Sequence, residues 1–241
     1  MKFTSWAIVV LLAILLTSVV VVDLQLKRQY AALDKSNVYW TYTSILDSPF
    51  RYLKIRGGNQ SNVVFEQRPR YSVRVNEDWR RNFKGEVRAT VSKDTLYLDF
   101  DFKTNDPFAP DWLKRTTAVR LFGPELTYVE GFDTRFEMDN ISQGSIAVSM
   151  AGRSDFEVEY RDLKLDSITV SASDSSRVVF ELAPEVRGAG PMTVKQVRAD
   201  LRGLAFLDIA PAFVDSLSLK MEPRTSVSLS GAAFVGTSKK R

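Results

Sequence analysis

The chain has 241 residues with 44% apolar and 26% charged side chains, which suits a buried core in one domain or two small ones rather than a disordered chain. It contains neither Cys nor His, which excludes a disulfide framework, a thiol nucleophile, a Cys/His zinc site, a His-based triad and a lipoprotein cysteine. The formal net charge of +4 becomes +2 (30 basic against 28 acidic residues) once Lys2, Asp23, Lys27 and Arg28 are set aside, too balanced for a nucleic-acid partner held by phosphate neutralisation.

Phe3 to Val22 is an uncharged run, FTSWAIVVLLAILLTSVVVV. As a helix it rises about 30 Å, the hydrocarbon thickness of a bilayer. The run exceeds a normal signal-peptide core, and Val19 to Val22 offers no small-x-small cleavage site, so an uncleaved anchor is expected. A large domain after so short an N-terminus is expected on the far side of the membrane, with Met1 and Lys2 inside. Asp23 to Lys35 contains good helix formers and is expected to continue the helix as a stalk.

After Asn37 the texture changes to short alternating segments. Arg51–Arg56 (RYLKIR), Asn62–Gln67 (NVVFEQ), Tyr71–Val75 (YSVRV), Glu86–Ser92 (EVRATVS) and Thr95–Phe102 (TLYLDFDF) each read as strands buried on one face. Gly57, Gly58, Asn59, Pro69 and Asn76 punctuate them. Asn105–Trp112 (NDPFAPDW) breaks the pattern and is expected to separate antiparallel N-terminal strands from the second half of the chain.

That second half repeats. Leu126/Tyr128, Ile146/Val148, Ile168/Val170, Val197/Ala199 and Leu217/Leu219 form one set of apolar pairs. Ten residues later come Phe136/Met138, Phe156/Val158, Val178/Phe180, Leu207/Ile209 and Val227/Leu229. The units are spaced by 20, 22, 29 and 20 residues, the long interval holding a loop at Ala183–Met192. Short polar stretches such as Ser173–Ser176 divide the two strands of each unit and serve as corners. One such unit cannot bury its own apolar face, so the units are expected to stack about 4.8 Å apart as a β-solenoid. An antiparallel sandwich with similarly spaced hairpins is the alternative.

The expected organisation is therefore all-β after a transmembrane helix. Residues 1–36 form anchor and stalk (span 3–22), 37–112 an N-terminal strand region, 113–236 the repeated solenoid units, and 237–241 a basic tail.

The F-x-x-L-x-I-x-G strand at Phe50–Gly57, V-V-F-E-Q at Val63–Gln67, T-L-Y-L at Thr95–Leu98 and the twenty-residue units with small corners together resemble the autotransporter-adhesin "head GIN" domain family, a domain of unknown function. The resemblance covers Tyr42 to Gly236. It implies a β-solenoid of the bacterial cell envelope and an adhesin-like binding role, and it implies no catalytic residues. The chain departs from the family in keeping corner glycines only at Gly152, Gly203 and Gly231, and in carrying a membrane helix where many members have a lipoprotein cysteine.

Candidate chemistry is sparse. Asp99 and Asp101 lie on one strand face about 7 Å apart, and with Asp106 and Asp111 they are the carboxylates a glycosidase would use; as the solvated face of an alternating strand they need no such role. Asn105, Asp106 and Asp111 are oxygen ligands without a calcium-loop signature. Hence no catalytic residues, metal or cofactor are expected. Arg68, Arg70, Trp79, Arg80 and Arg81 form a basic-aromatic cluster, and Trp79, Phe108 and Trp112 are the aromatic candidates for stacking on sugar rings, or for capping the core. Asp94-Thr95, Asp166-Ser167 and Asp215-Ser216, each followed by an aliphatic residue, resemble a periplasmic O-glycosylation acceptor. The expected protein is a single-pass inner-membrane protein with a non-enzymatic binding or scaffolding domain in the periplasm. Its expected partners are the membrane and an envelope polysaccharide or envelope protein; a carboxylate-based carbohydrate-active enzyme is the alternative.

Overall fold

The computed structural model describes residues 3–32, 38–83, 86–101, 116–139, 141–160, 164–182, 192–209 and 212–229. The chain forms two compact units, Met1–Thr41 and Tyr42–Arg241.

The first unit is built on helix α1 (Phe3–Ala32). Its Trp6–Ala31 stretch is long and apolar enough to cross a bilayer, as an anchor or as a signal sequence. The helix is apolar on all sides, with Ile8, Leu11, Leu12, Leu15 and Val19 all exposed, so no face is set apart for packing on a core. Its two mid-helix hydroxyls are satisfied internally: Thr17 Oγ1 donates to the Ala13 carbonyl (2.7 Å) and Ser18 Oγ to the Leu15 carbonyl (2.8 Å). That is what a hydrocarbon solvent requires of polar groups. The helix runs past Val22 as expected, and the expected stalk residues 33–35 lie outside the described residues.

The second unit is mostly β. In chain order its elements are β1 (Tyr42–Leu46), β2 (Tyr52–Arg56), β3 (Asn62–Gln67), β4 (Ser72–Asn76), α2 (Glu77–Phe83), β5 (Glu86–Ser92), β6 (Thr95–Asp101), β7 (Thr117–Gly123), β8 (Tyr128–Phe132), β9 (Arg135–Asp139), β10 (Ser142–Ala151), β11 (Asp155–Tyr160), β12 (Lys164–Ala172), β13 (Arg177–Leu182), β14 (Met192–Leu201), β15 (Phe206–Asp208), β16 (Ala212–Met221) and β17 (Ser226–Ser228). They form two open mixed sheets. The first has the order β1-β4-β7-β3-β9-β11-β13-β15-β17, the second β16-β14-β12-β10-β8-β2-β6-β5. Only the β1–β4, β4–β7 and β5–β6 pairs are antiparallel; every other neighbour pair is parallel.

The repeat sets the register. Phe136, Phe156, Val178, Leu207 and Val227 are successive Cα partners across β9, β11, β13, β15 and β17. Ile146, Ile168, Val197 and Leu217 are partners across β10, β12, β14 and β16. Their side chains enter one hydrophobic core, in which Phe136 and Phe156 stack with centroids 5.8 Å apart.

The first repeat differs from expectation by one residue. Tyr128 pairs with Ala147 and faces out, while Val129 pairs with Val148 and is buried with Leu126. The cause is an outward kink of two residues between two buried ones. It recurs as Phe50/Leu53, Leu126/Val129, Leu165/Ile168 and Val194/Val197, so Leu126 corresponds to Leu165 and not to Ile168.

The N-terminal strands also differ from expectation. β2 lies between β6 and β8, and β3 between β7 and β9, all parallel. Strands from both sides of Asn105–Trp112 thus share both sheets, because Leu53, Ile55, Val63 and Phe65 need neighbours on either side to bury their apolar faces. The Asn105–Trp112 loop, the body of the Ala183–Met192 loop and the 237–241 tail lie outside the described residues.

The corners are stacked too. Gly57, Asp133, Gly152, Asp174 and Gly203 all have positive φ, between 51° and 76°. The residues preceding each corner are register partners, so the corners succeed one another from unit to unit. Ser154 Oγ and Ser176 Oγ close the turn by donating to the carbonyls three residues back, at 2.6 and 2.7 Å. Acidic side chains tie one corner to the next: Asp133 Oδ1 accepts from the Arg153 amide (2.8 Å) and Asp174 Oδ2 from the Gly152 amide (3.0 Å). The corner serines and aspartates therefore form and join the turns, as expected of them.

Candidate functional site

The outward faces of the two sheets carry different chemistry. On the first, Arg135 pairs with Glu157 (3.8 Å) and Arg177 with Asp155 (3.6 Å), while the buried Glu66 is held by Arg68 and by Arg120 at 3.8 Å. Its charged groups are largely turned on one another.

The second sheet presents aromatic rings. In β2, Leu53 and Ile55 point into the core, so Tyr52, Lys54 and Arg56 point out. Lys54 is flanked by Tyr97 on β6 and Glu130 on β8, Tyr52 by Tyr128, and Arg56 by Asp99 and Phe132. Tyr52 is 40% exposed, Tyr97 38% and Phe132 52%, while Tyr128 is half-buried. Strand spacing places these rings within about 10 Å across the sheet and in steps of about 7 Å along it, about 13 Å from the Tyr52–Tyr128 level to Phe132.

The patch is ordered by one ionic network. Lys54 Nζ lies 2.8 Å from Glu130 Oε2, which also accepts from the Tyr128 hydroxyl at 3.2 Å. The Glu130 hydrogen bond raises the Lys54 pKa; Tyr128 is raised mainly by burial and then by the Glu130 charge. Both groups thus hold their protons through the neutral range, fixing a positive ammonium beside three phenol rings. Beyond Tyr128 the same face becomes hydroxyl-rich, with Ala147 and Ser149 on β10, then Thr169 and Ser171 on β12. It ends in Asp200, drawn down to about 2 chiefly by Arg202, with Lys220 helping. Rings, hydroxyls and paired charges on one sheet face provide stacking and hydrogen-bonding groups.

The residues singled out in the sequence fall elsewhere. Trp79 is fully buried and offers no stacking face. Asn76 Oδ1 caps α2 by accepting from the Asp78 and Trp79 amides (2.9 and 3.0 Å), and the helix drives Trp79 inward to meet Phe100 edge-on at 6.0 Å. Asn76 followed by Glu77 and Asp78 is the helix-start signal that strand alternation obscures. Phe108, Trp112, Asn105, Asp106 and Asp111 lie outside the described residues.

The basic-aromatic cluster is dispersed: Arg80 and Arg81 pair with Glu77 and Asp78 on α2, and Arg68 with Glu66. Asp99 and Asp101 are exposed on β6 opposite Arg88 and Glu86. Asp166-Ser167 and Asp215-Ser216 sit on the outward kinks of β12 and β16, where Asp166 binds Lys195 at 2.7 Å. Sequence reasoning alone does not bring out the aromatic row, because Tyr52 and Tyr97 read there as strand formers. The signal was present: each alternates with buried aliphatic residues and so must face out.

No family model matches the chain, and no curated protein does. Among solved structures it is similar to a putative adhesin from Bacteroides fragilis, at 9% identity over 78% of this chain and 95% of that one, with a TM-score of 0.42. It is also similar to a putative lipid binding protein from Parabacteroides distasonis (13% identity, 79% and 93% covered, TM-score 0.39) and to a putative cell adhesion protein from Clostridium sporogenes (9%, 75% and 98%, TM-score 0.35). Likeness of this order assigns the chain neither a family nor a ligand.

Proposed function

We propose that the protein is a membrane-anchored envelope protein whose β unit is a β-solenoid that binds, without catalysis, an extended envelope polysaccharide along its second sheet. The observation that carries this proposal is the row of Tyr52, Tyr97, Tyr128 and Phe132 on three adjacent strands, beside the hydroxyl-bearing face of β10 and β12. In-register parallel pairing of both strands of each unit supports the solenoid, and the resemblance to the head GIN family agrees with an envelope location. Helix α1 is the anchor, uncleaved, with the β unit in the periplasm. Asp99 and Asp101, open to water on a strand face, lack the enclosing surroundings that separate the roles of a general acid and its partner.

The test is binding of the full chain, in non-ionic detergent micelles, to a panel of envelope polysaccharides, for wild type and for Tyr52→Ala/Tyr97→Ala. Each ring contributes about 0.5–1.5 kcal/mol of stacking, so the double variant is expected to bind about tenfold or more weakly with its unfolding midpoint little changed. Binding that survives both substitutions removes this face from the proposal, and turnover of a polysaccharide replaces it with the enzymatic alternative. Protease digestion of intact and permeabilised cells, read with an antibody to the C-terminal tail, tests location. Protection until permeabilisation, at a size retaining residues 3–22, is expected; digestion in intact cells moves the domain to the surface.

A further inference from the structure

A separate groove lies where the antiparallel strands meet. The register of β1 against β4 slips between Ser44 and Leu46, and bulges of this kind re-aim side chains. Here a groove of about 590 Å³ is lined by Asp47, Pro69, Arg70, Tyr71, Ser72 and Arg74.

Its polar groups are arranged in advance. Ser44 Oγ donates to Asp47 Oδ1 at 2.7 Å and lies 3.1 Å from Ser72 Oγ, which accepts from Arg74 Nε at 3.4 Å. Arg74 also rests on the Phe122 ring, 5.4 Å from its centroid. Tyr71 is pinned between Phe50, with centroids 5.4 Å apart, and Gly123, where a Cβ would come within 3.0 Å of the ring. Arg70 is exposed and has no carboxylate partner among the described residues. The groove therefore holds two guanidinium groups, one carboxylate and an aromatic wall. A simple polyanion would meet Asp47, which its hydrogen bonds from Ser44 and Ser72 keep ionised. A ligand bearing both signs satisfies every group.

We propose that this groove is a second ligand site, for a zwitterionic headgroup of the phosphoethanolamine type, with the phosphate on Arg70 and Arg74, the ammonium on Asp47 and the ethylene bridge against Tyr71. Guanidinium forks match phosphate oxygens, and an ionised carboxylate matches an ammonium. The assignment is independent of the polysaccharide face, which lies on the other sheet.

The test is calorimetric titration of the full chain in non-ionic micelles with O-phosphoethanolamine and with inorganic phosphate. Saturable binding of O-phosphoethanolamine is expected, with a preference over phosphate. Arg70→Gln, which removes an exposed side chain and should leave the unfolding midpoint unchanged, is expected to weaken binding of both probes about tenfold, the effect of one charge-assisted contact. Asp47→Asn is expected to abolish the preference while phosphate binding persists. Nanodiscs separate the sources: competition by phosphatidylethanolamine discs, but not phosphatidylcholine discs, assigns a lipid headgroup, and equal affinity in both assigns a free molecule. Absence of saturable binding, insensitivity to Arg70→Gln, or a preference unchanged by Asp47→Asn overturns the proposal.

Discussion

Phe156→Ala probes the stacked core at its centre. Phe156 is fully buried, its ring is stacked on Phe136 at 5.8 Å and 26°, and its Cα partners are Phe136 and Val178. Truncating a buried Phe costs about 3–5 kcal/mol, depending on how far the site can collapse. Collapse is restricted here, because backbone pairing on both sides holds the neighbouring strands about 4.8 Å away and the void cannot close along the stack. The expected loss is in the upper half of that range, about 4–5 kcal/mol. Val227→Ala is the comparison. Val227 is half-buried on β17, the last strand of its sheet, with Leu207 its register partner on the one paired side, so removing its methyls costs about 1 kcal/mol. Urea unfolding of the full chain in non-ionic micelles, followed by the far-ultraviolet β signal, measures both. With a slope of about 2 kcal/mol per molar, Phe156→Ala lowers the midpoint by about 2 M and Val227→Ala by about 0.5 M. Equal shifts for the two variants would refute the stacked-core argument.

Gly152→Ala is expected to cost about 1–2 kcal/mol from its left-handed φ of 69° alone, and more because the new Cβ lies 2.5 Å from Asp133 Oδ1; Gly144→Ala, whose Cβ meets nothing within 4 Å, is expected to stabilise by about 0.5 kcal/mol, both read as urea midpoints. Trp79, studied alone after Trp6, Trp40 and Trp112 are changed to Phe, is expected to resist acrylamide quenching, and Trp79→Ala to cost about 3–5 kcal/mol without selectively weakening the proposed polysaccharide binding. Asp200 has a folded pKa of about 2 against an ordinary 3.8, so its contribution to stability is complete above about pH 4 and is lost as pH falls toward 2. Carboxyl carbon NMR should show that low midpoint, and Arg202→Gln should move it upward.

How far the fold could be read depended on the range of the interactions involved. The columns Phe136–Phe156–Val178–Leu207–Val227 and Ile146–Ile168–Val197–Leu217 were legible because a side chain facing the core must recur at each unit's spacing. The Leu126/Tyr128 pair misled because a kink with two outward residues mimics alternation when only one of its flanking apolar residues is counted. The placement of β2 and β3 inside both sheets was not legible, since alternation reports which face is buried and says nothing of the neighbouring strand. Trp79 shows the same limit from another direction: a ring among arginines reads either as a stacking surface or as a cap on the core, and the Asn76 cap that turns it inward decides for the core. The Tyr52–Tyr97–Tyr128 row was recoverable residue by residue as the outward set of each strand. Its assembly into one patch required the parallel register.

The interior position of β2 and β3 bears on the order in which the molecule is made. These are among the first strands of the β unit to be synthesised, yet each is flanked on both sides by later ones: β6 and β8 around β2, β7 and β9 around β3. The two sheets thus extend in two directions from β2 and β3, with β1 and β4 to β7 on one side and β8 to β17 on the other. Joining Tyr52 to Thr95, Asn62 to Thr117 and Asn62 to Arg135 closes long loops, but the entropic cost of each rises only logarithmically with length. Each later unit docks on an edge already in place. Loss of the last unit therefore exposes another edge of the same kind, whereas loss of β2 and β3 removes the template from which both directions start.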